Sequence, residues 1–325
     1  MIENLTSSDI QKDALKRAEE EIKFMEKNKI SPFFFTDEMY PSRLKECADS
    51  PAMLYTKGNA NLNAEKVVSI VGSRRATAYG KKICEQMVEA FASYNALIVS
   101  GLAYGIDIAA HRAAIKNNLS TVGVLAHGLD NLYPAEHSNT AGKMLENGGL
   151  ISEFMSQTKM NPEYFPRRNR IVAGMSEATI VMEATYKSGA LITAEIANSY
   201  DREVFAVPGN LDEPPSEGCN LLIKANKAMG LHTLVLLDIK YDLQKFMTIN
   251  EAIKILLDIE EKRKEHIFTK ETLCIGCARL GSETRAIKAG TAEQILKCDF
   301  GAPLHCLLVP GTMHFMEEEA VEMWK

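Results

Sequence analysis

The stretch Val67-Val-Ser-Ile-Val71-Gly72-Ser73-Arg74-Arg75-Ala76-Thr77 decides how this chain is read. Four apolar residues and one serine run without polar alternation, stop at a glycine, and give way to a polar loop and a helical pattern reaching about Tyr94. A short strand of that kind is one buried on both faces, as in a parallel sheet. The unit recurs. Ala96-Leu-Ile-Val-Ser100 ends at Gly101 before a helix from about Ile106 to Asn117. Thr121-Val-Gly-Val-Leu125 precedes a Gly/Asp/Pro loop, a helix over 137–147 and Gly149-Leu-Ile-Ser152. Ala178-Thr-Ile-Val-Met182 leads to a helix over about Leu191–Tyr200, and Glu203-Val-Phe-Ala-Val207 stops at Pro208-Gly209. This alternation predicts an α/β fold, a Rossmann-like doubly wound parallel sheet with helices on both faces. Ligands of such sheets bind beyond the carboxyl ends of the strands, where the strand order reverses.

The chain has 325 residues, 46% hydrophobic and 25% charged, with a formal net charge of −6. That composition excludes collagen-like and wholly disordered chains, and the acidic total excludes a uniformly basic nucleic-acid binder but not a locally basic groove. The amino terminus, Met1 to Lys12, lacks an apolar core, and no run of about 18 apolar residues occurs, so neither a secretory signal nor a membrane helix is expected. Seven scattered cysteines suit reduced thiols in a cytoplasmic protein. The CxxC at Cys274 and Cys277 sits in an apolar run, Thr272 to Ala278, that reads as a buried strand, so these cysteines are expected to act as small hydrophobes and no metal site is predicted. Residues 10–29 read as an amphipathic helix carrying Ala14, Ala18, Ile22 and Met25 on its apolar face, and residues 32–51 as an irregular aromatic connector.

Three strand ends combine small residues with Ser or Gly ahead of a helix: Gly72-Ser73-Arg74-Arg75, Ser100-Gly101-Leu102-Ala103-Tyr104-Gly105, and Lys187-Ser188-Gly189. Glycines admit close backbone approach and the N–H groups of a helix start attract anions, so each is a candidate phosphate loop. Neither G-x-G-x-x-G nor a P-loop is present, which removes the usual dinucleotide and triphosphate readings. Tyr164-Phe-Pro-Arg167-Arg168-Asn169-Arg170, read as a loop, adds three guanidiniums and two aromatic faces, a combination suited to phosphates and stacked bases. No catalytic set assembles. His111, His127 and His137 form no recognised pattern, Asp107 reads as a helix-start residue, and Glu183 as a group ordering its neighbouring loop.

Ser69-Ile-Val-Gly-Ser-Arg74, Ser100-Gly-Leu-Ala-Tyr-Gly-Ile-Asp107, Phe165-Pro-Arg-Arg-Asn-Arg170, Ser188-Gly-Ala-Leu-Ile-Thr193, Arg202-Glu-Val-Phe-Ala-Val-Pro-Gly209 and Gly218-Cys-Asn-Leu-Leu-Ile223 together resemble the DprA/Smf family, over about residues 14–227. The resemblance implies a cytoplasmic, dimeric protein that binds single-stranded DNA without a cofactor, protects incoming strands during natural transformation and hands them to the RecA recombinase. By motif, Arg74, Arg75, Arg167, Arg168, Arg170 and Lys187 become the implied strand contacts. The helix-hairpin-helix and winged-helix segments that flank this part in many members have no counterpart here.

Beyond Ala225-Asn-Lys-Ala-Met229 the chain resembles something else. Gly230-Leu-His-Thr-Leu-Val-Leu-Leu-Asp-Ile239, Cys274-Ile-Gly-Cys-Ala-Arg-Leu-Gly-Ser282 and Pro303-Leu-His-Cys-Leu-Leu-Val-Pro-Gly311 are similar to the carboxyl-terminal half of diphthine synthase, an S-adenosylmethionine-dependent methyltransferase of tetrapyrrole-methylase-like fold. That resemblance implies a smaller α+β domain in which Leu237, Leu280 and His305 are relics of cofactor-facing positions. The glycine-rich half that completes the cofactor cleft is missing, so methyl transfer is the alternative rather than the leading expectation. The expected organisation is a helix and connector over 1–60, a Rossmann-like domain over 61–228 and the diphthine-synthase-like domain over 229–325. A fusion is the simplest account. A nucleotide-processing enzyme is a third reading, on fold analogy alone.

Overall fold

A computed structural model of the chain describes residues 8–207, 214–228, 232–237, 239–240, 245–264, 266–280, 282–302 and 305–325. The Pro208-Gly209 stop, Met229 at the expected join, Leu304 and the first seven residues lie outside them.

Helix α1 (Ser8–Asn28) leads into β1 (Ile30–Phe34), the short α2 (Ser42–Lys45) and β2 (Met53–Gly58). The winding then begins: β3 (Val67–Val71), α3 (Ala78–Phe91), β4 (Leu97–Ser100), α4 (Ile106–Lys116), β5 (Thr121–Leu125), α5 (Ser138–Met144) and β6 (Gly148–Ser152). It continues through α6 (Tyr164–Gly174), β7 (Ala178–Val181), α7 (Gly189–Ser199), β8 (Glu203–Ala206), α8 (Pro214–Ala228) and β9 (Thr233–Leu236). The remainder is β10 (Ile239–Lys240), β11 (Lys245–Phe246), α9 (Ile249–Arg263), β12 (Leu273–Ala278), β13 (Ala286–Thr291), α10 (Ala292–Ile295), β14 (His305–Val309) and α11 (Phe315–Glu322).

Among the described residues twelve strands form one sheet, ordered β1-β2-β6-β5-β4-β3-β7-β8-β9-β14-β12-β13. The block from β6 to β9 is parallel throughout. From β3 the chain winds outward to β6, then returns to β7 on the other side of β3, so the order reverses between β3 and β7. The unbroken apolar strands follow from this: Val67 and Val71 pack beneath α6 and α7, while Ile70 packs beneath α3 and α4 on the opposite face.

Three expectations need correcting. Residues 30–34 and 53–58 form an antiparallel pair that extends the sheet from β6, rather than an irregular connector; Pro32 is tolerated because β1 is an edge strand. The supposed apolar face of α1 is largely exposed, with Ile22 half open to solvent. The helix is held instead by polar groups: Glu21 accepts from the Ser156 N–H at 3.0 Å, and Arg17 donates to the Ser156 carbonyl at 2.6 Å and to Glu21 at 2.8 Å. Finally, residues 164–174 form a helix, not a loop.

The carboxyl-terminal segment continues the sheet. Strand β9 runs parallel to β8 and pairs on its other side with antiparallel β14, then β12 and β13. Ile249, Ile253 and Leu256 of α9 join the same apolar layer as α7 and α8.

Under β5, His111 of α4 is fully buried, its Nδ1 2.7 Å from the Thr121 hydroxyl and its Nε2 without a partner. Burial foremost, then the charges of Arg168 and His137, push its pKa down to about 3. The folded state therefore refuses a proton that the unfolded chain accepts below about 6.5, so stability is full above that pH and falls as the pH drops toward 3. At pH 5 the loss attributable to this group is expected to be about 2 kcal/mol at most. Denaturant titrations at pH 7 and pH 5 check it: His111→Gln is expected to lose less on acidification than the parent, and equal losses would refute the assignment.

Candidate nucleic-acid interface

The loops after β3, β4 and β7 converge at the reversal point around a cleft of about 570 Å³, a size typical of small-ligand sites. Its walls include Gly72, Ser73, Arg74, Arg75, Gly101, Asp107, Phe165, Arg168, Asn169, Ser188 and Gly189.

The β3 loop is fixed from behind by Glu183. Its carbonyl accepts from the Ser73 N–H at 2.7 Å, and its carboxylate accepts from the Thr77 N–H at 2.9 Å and from the Thr77 hydroxyl. Thr77 in turn caps α3, its hydroxyl accepting from the Gly80 N–H at 3.0 Å. Glu183 thus has the ordering role expected of it.

The β4 loop is shaped by a buried charge pair. Arg168, 4% exposed, donates to the Gly101 carbonyl at 2.7 Å and to the Val124 carbonyl, with the Asp107 carboxylate alongside. Asp107 also accepts from the Ala103 N–H at 3.3 Å. Burial pushes the Asp107 carboxyl upward, against the opposing pull of Arg168 and the loop N–H groups; burial also lowers the Arg168 pKa to about 10. A Cβ on Gly101 would collide with both charged groups, and Gly105, at φ +80°, would drive one into the Ser73 carbonyl.

Helix periodicity sorts the 164–174 segment into two faces. Phe165, Arg168, Asn169 and Val172 face the cleft at i, i+3, i+4 and i+7. Arg167 and Arg170 point elsewhere, converging on the buried carboxylate of Glu153 at 3.0 Å and 2.6 Å; Arg170 also donates to the Asp49 carbonyl at 2.6 Å. Of the arginines singled out in the sequence, then, Arg168 is an internal clamp, and Arg167 and Arg170 share the Glu153 carboxylate outside the cleft, the Arg167 side chain remaining 56% exposed. Ser100 is likewise internal, its hydroxyl donating to the Ile70 carbonyl at 2.6 Å.

Arg74 and Arg75 remain. Both are exposed and form no ion pair among the described residues, and the Arg74 guanidinium lies 5.4 Å over the Phe165 ring, which Tyr133 meets edge-on. Lys187 is exposed on the β7 loop beside Ser188, whose hydroxyl has no partner at the start of α7. Asn169, Thr185 and Thr193 also line the cleft. Sequence reasoning passed them over; the helical spacing of 165, 168, 169 and 172 was the available signal for Asn169. The relic positions fall at another part of the same sheet: Leu237 and His305 lie at neighbouring ends of β9 and β14, and Leu280 in the turn after β12.

Comparison with known proteins assigns the two stretches separately. The chain is 41% identical over 196 residues to the DNA processing protein DprA of Bacillus subtilis, covering 60% of this chain and 66% of that relative, so it spans slightly less than two thirds of its length. The structure of Helicobacter pylori DNA processing protein A, described for its single-stranded DNA binding mode, superposes with a TM-score of 0.55 at 30% identity, covering 61% of this chain and 88% of that one. A separate similarity, 44% identity over 119 residues, is to diphthine synthase of Methanococcus maripaludis and covers 37% of this chain and 45% of that protein. The family model for DNA recombination-mediator protein A matches residues 31–237, well over half of the chain, and the chain belongs to that family.

Proposed function

We propose that the cleft grips single-stranded DNA by its phosphates, and that the protein is a DprA-type recombination mediator that shields incoming strands and passes them to RecA during natural transformation. The observation that carries the reading is the unpaired Arg74–Arg75 pair, one guanidinium lying over Phe165, at the mouth of a cleft rimmed by glycine turns and the start of α7. Guanidiniums bind phosphate oxygens of any sequence, an aromatic ring accepts any base, and the helix N-terminus adds positive potential. Family membership supports the same reading, and with it a cytoplasmic homodimer as the working form. Among the described residues no helix is long and apolar enough to cross a membrane.

The reading needs no cofactor. S-adenosylmethionine is the alternative raised by the diphthine synthase similarity, but the relic positions fit it poorly. Leu280 is 58% exposed, and the His305 Nε2 is held 3.2 Å from the carbonyls of Gly301 and Ala302. A rise in melting temperature of the intact chain with millimolar S-adenosylmethionine would reinstate it.

Titrating a fluorescent oligonucleotide at two salt concentrations tests the groove. Arg74→Ala/Arg75→Ala is expected to weaken binding at least about tenfold and to reduce the logarithmic salt slope by about 1.4, the loss of two single-strand phosphate contacts, with the melting temperature unchanged. Unchanged affinity and slope would refute the groove.

Arg168 is expected to behave differently. Arg168→Met strands the buried Asp107 charge and is expected to cost about 3–5 kcal/mol of stability, part of which Asp107→Asn in the same chain restores. Denaturant melts distinguish the two roles: an Arg168→Met protein as stable as the parent but deficient in DNA binding would make Arg168 a direct strand contact.

A further inference from the structure

The CxxC of β12 is not a pair in space. Alternation along the strand sends Cys274 into the main apolar layer with Ala278, and Cys277 to the opposite face with Ile275, beneath Val321 of α11. The partner of Cys277 comes from elsewhere in the sequence. In the antiparallel register of β12 and β14, Cys277 stands directly opposite Cys306, and both are partly exposed.

The kind of pair can be worked out from the sheet edge. The Ala289 N–H of β13 donates outward to the Trp324 carbonyl at 2.7 Å, so Ala289 exchanges no hydrogen bonds with Ile275, its partner on β12. Two residues on, Cys277 and Ile287 repeat that relation, which turns the Cys277 N–H and C=O toward β14. Cys277 and Cys306 are therefore a hydrogen-bonded pair, with Cα atoms about 5.5 Å apart, inside the Cα span of disulfides. Their Cβ atoms stand at about 5.5 Å, wider than the roughly 3.5–4.5 Å of a relaxed bridge, so that closing the bond strains the ladder and leaves it easily reduced. The thiols also differ. Interaction between the two facing thiols lowers the Cys277 pKa in spite of burial and raises that of Cys306. A lowered thiol is the attacking group in exchange, and its neighbour the resolving one.

We propose that Cys277 and Cys306 form a reversible dithiol–disulfide site that reacts with small disulfides of the glutathione type. The Cys277 thiolate attacks one sulfur of the small disulfide, forming a mixed disulfide and releasing one small thiolate. Cys306, giving up its proton, then attacks the Cys277 sulfur and expels the second. Two protein thiols are oxidised and one small disulfide is reduced to two thiols. The product ties β12 to β14, the strand through which the carboxyl-terminal segment joins β9.

The full chain, incubated with oxidised glutathione, alkylated with iodoacetamide and mapped by peptide mass spectrometry, tests this. The expected product has lost two hydrogens, links the Cys277 peptide to the Cys306 peptide, and returns to the dithiol with dithiothreitol. Cys306→Ser is expected to trap glutathione on Cys277, whereas Cys277→Ser leaves Cys306 largely unmodified and Cys274→Ala/Cys298→Ala still forms the link. A disulfide mapping to any other pair, or both cysteines remaining fully alkylatable at the highest oxidised glutathione ratio, would overturn the proposal.

Discussion

The cleft depends on two opposite charges buried close together, Arg168 and Asp107. Taking a guanidinium and a carboxylate out of water costs several kcal/mol each, and attraction alone seldom recovers it without further hydrogen bonds. Arg168 obtains them from the Gly101 and Val124 carbonyls, and Asp107 from the Ala103 N–H. These bonds tie α6 to the ends of β4 and β5 and to the start of α4, so helix and loops cannot shift independently. The glycine at position 101 follows, because any side chain there would occupy the volume of the two charges.

That clamp explains how an acidic chain presents a basic mouth. Glu153, buried beside α6, is engaged by Arg167 and Arg170, while Glu183 works through its carbonyl and carboxylate from behind the β3 loop. The acidic groups around the site are thus turned inward or engaged, leaving Arg74 and Arg75 facing solvent. Local arrangement, not the net charge of −6, sets the potential a ligand meets.

The carboxyl-terminal segment meets a different constraint. A parallel sheet ending at β9 would leave an unpaired edge, a template for unwanted association. Here β14 occupies that edge, and α9 extends the apolar layer already formed by α7 and α8. Two stretches with separate resemblances share one sheet and one hydrophobic face.

The alternation of apolar strands and helices from Val67 to Val207 was legible because burial on both faces leaves a strand few polar positions, and those mostly small Ser and Thr, a pattern local to each segment. The glycine turns were legible for a related reason: close backbone approach at Gly72 and Gly101 and the positive φ of Gly105 leave no room for a Cβ. The arginines were not. Arg167, Arg168 and Arg170 are adjacent in sequence, yet the 100° step of a helix sends one into the cleft wall and two to Glu153, a carboxylate that only the fold brings near. Cys277 lies three residues from Cys274 and shares no face with it, while strand register sets it opposite Cys306. Sequence determined what each segment would become, because propensity and burial pattern act over a few residues; tertiary structure alone decided which charges and thiols meet, because those partners are fixed by helix phase and strand register across the whole sheet.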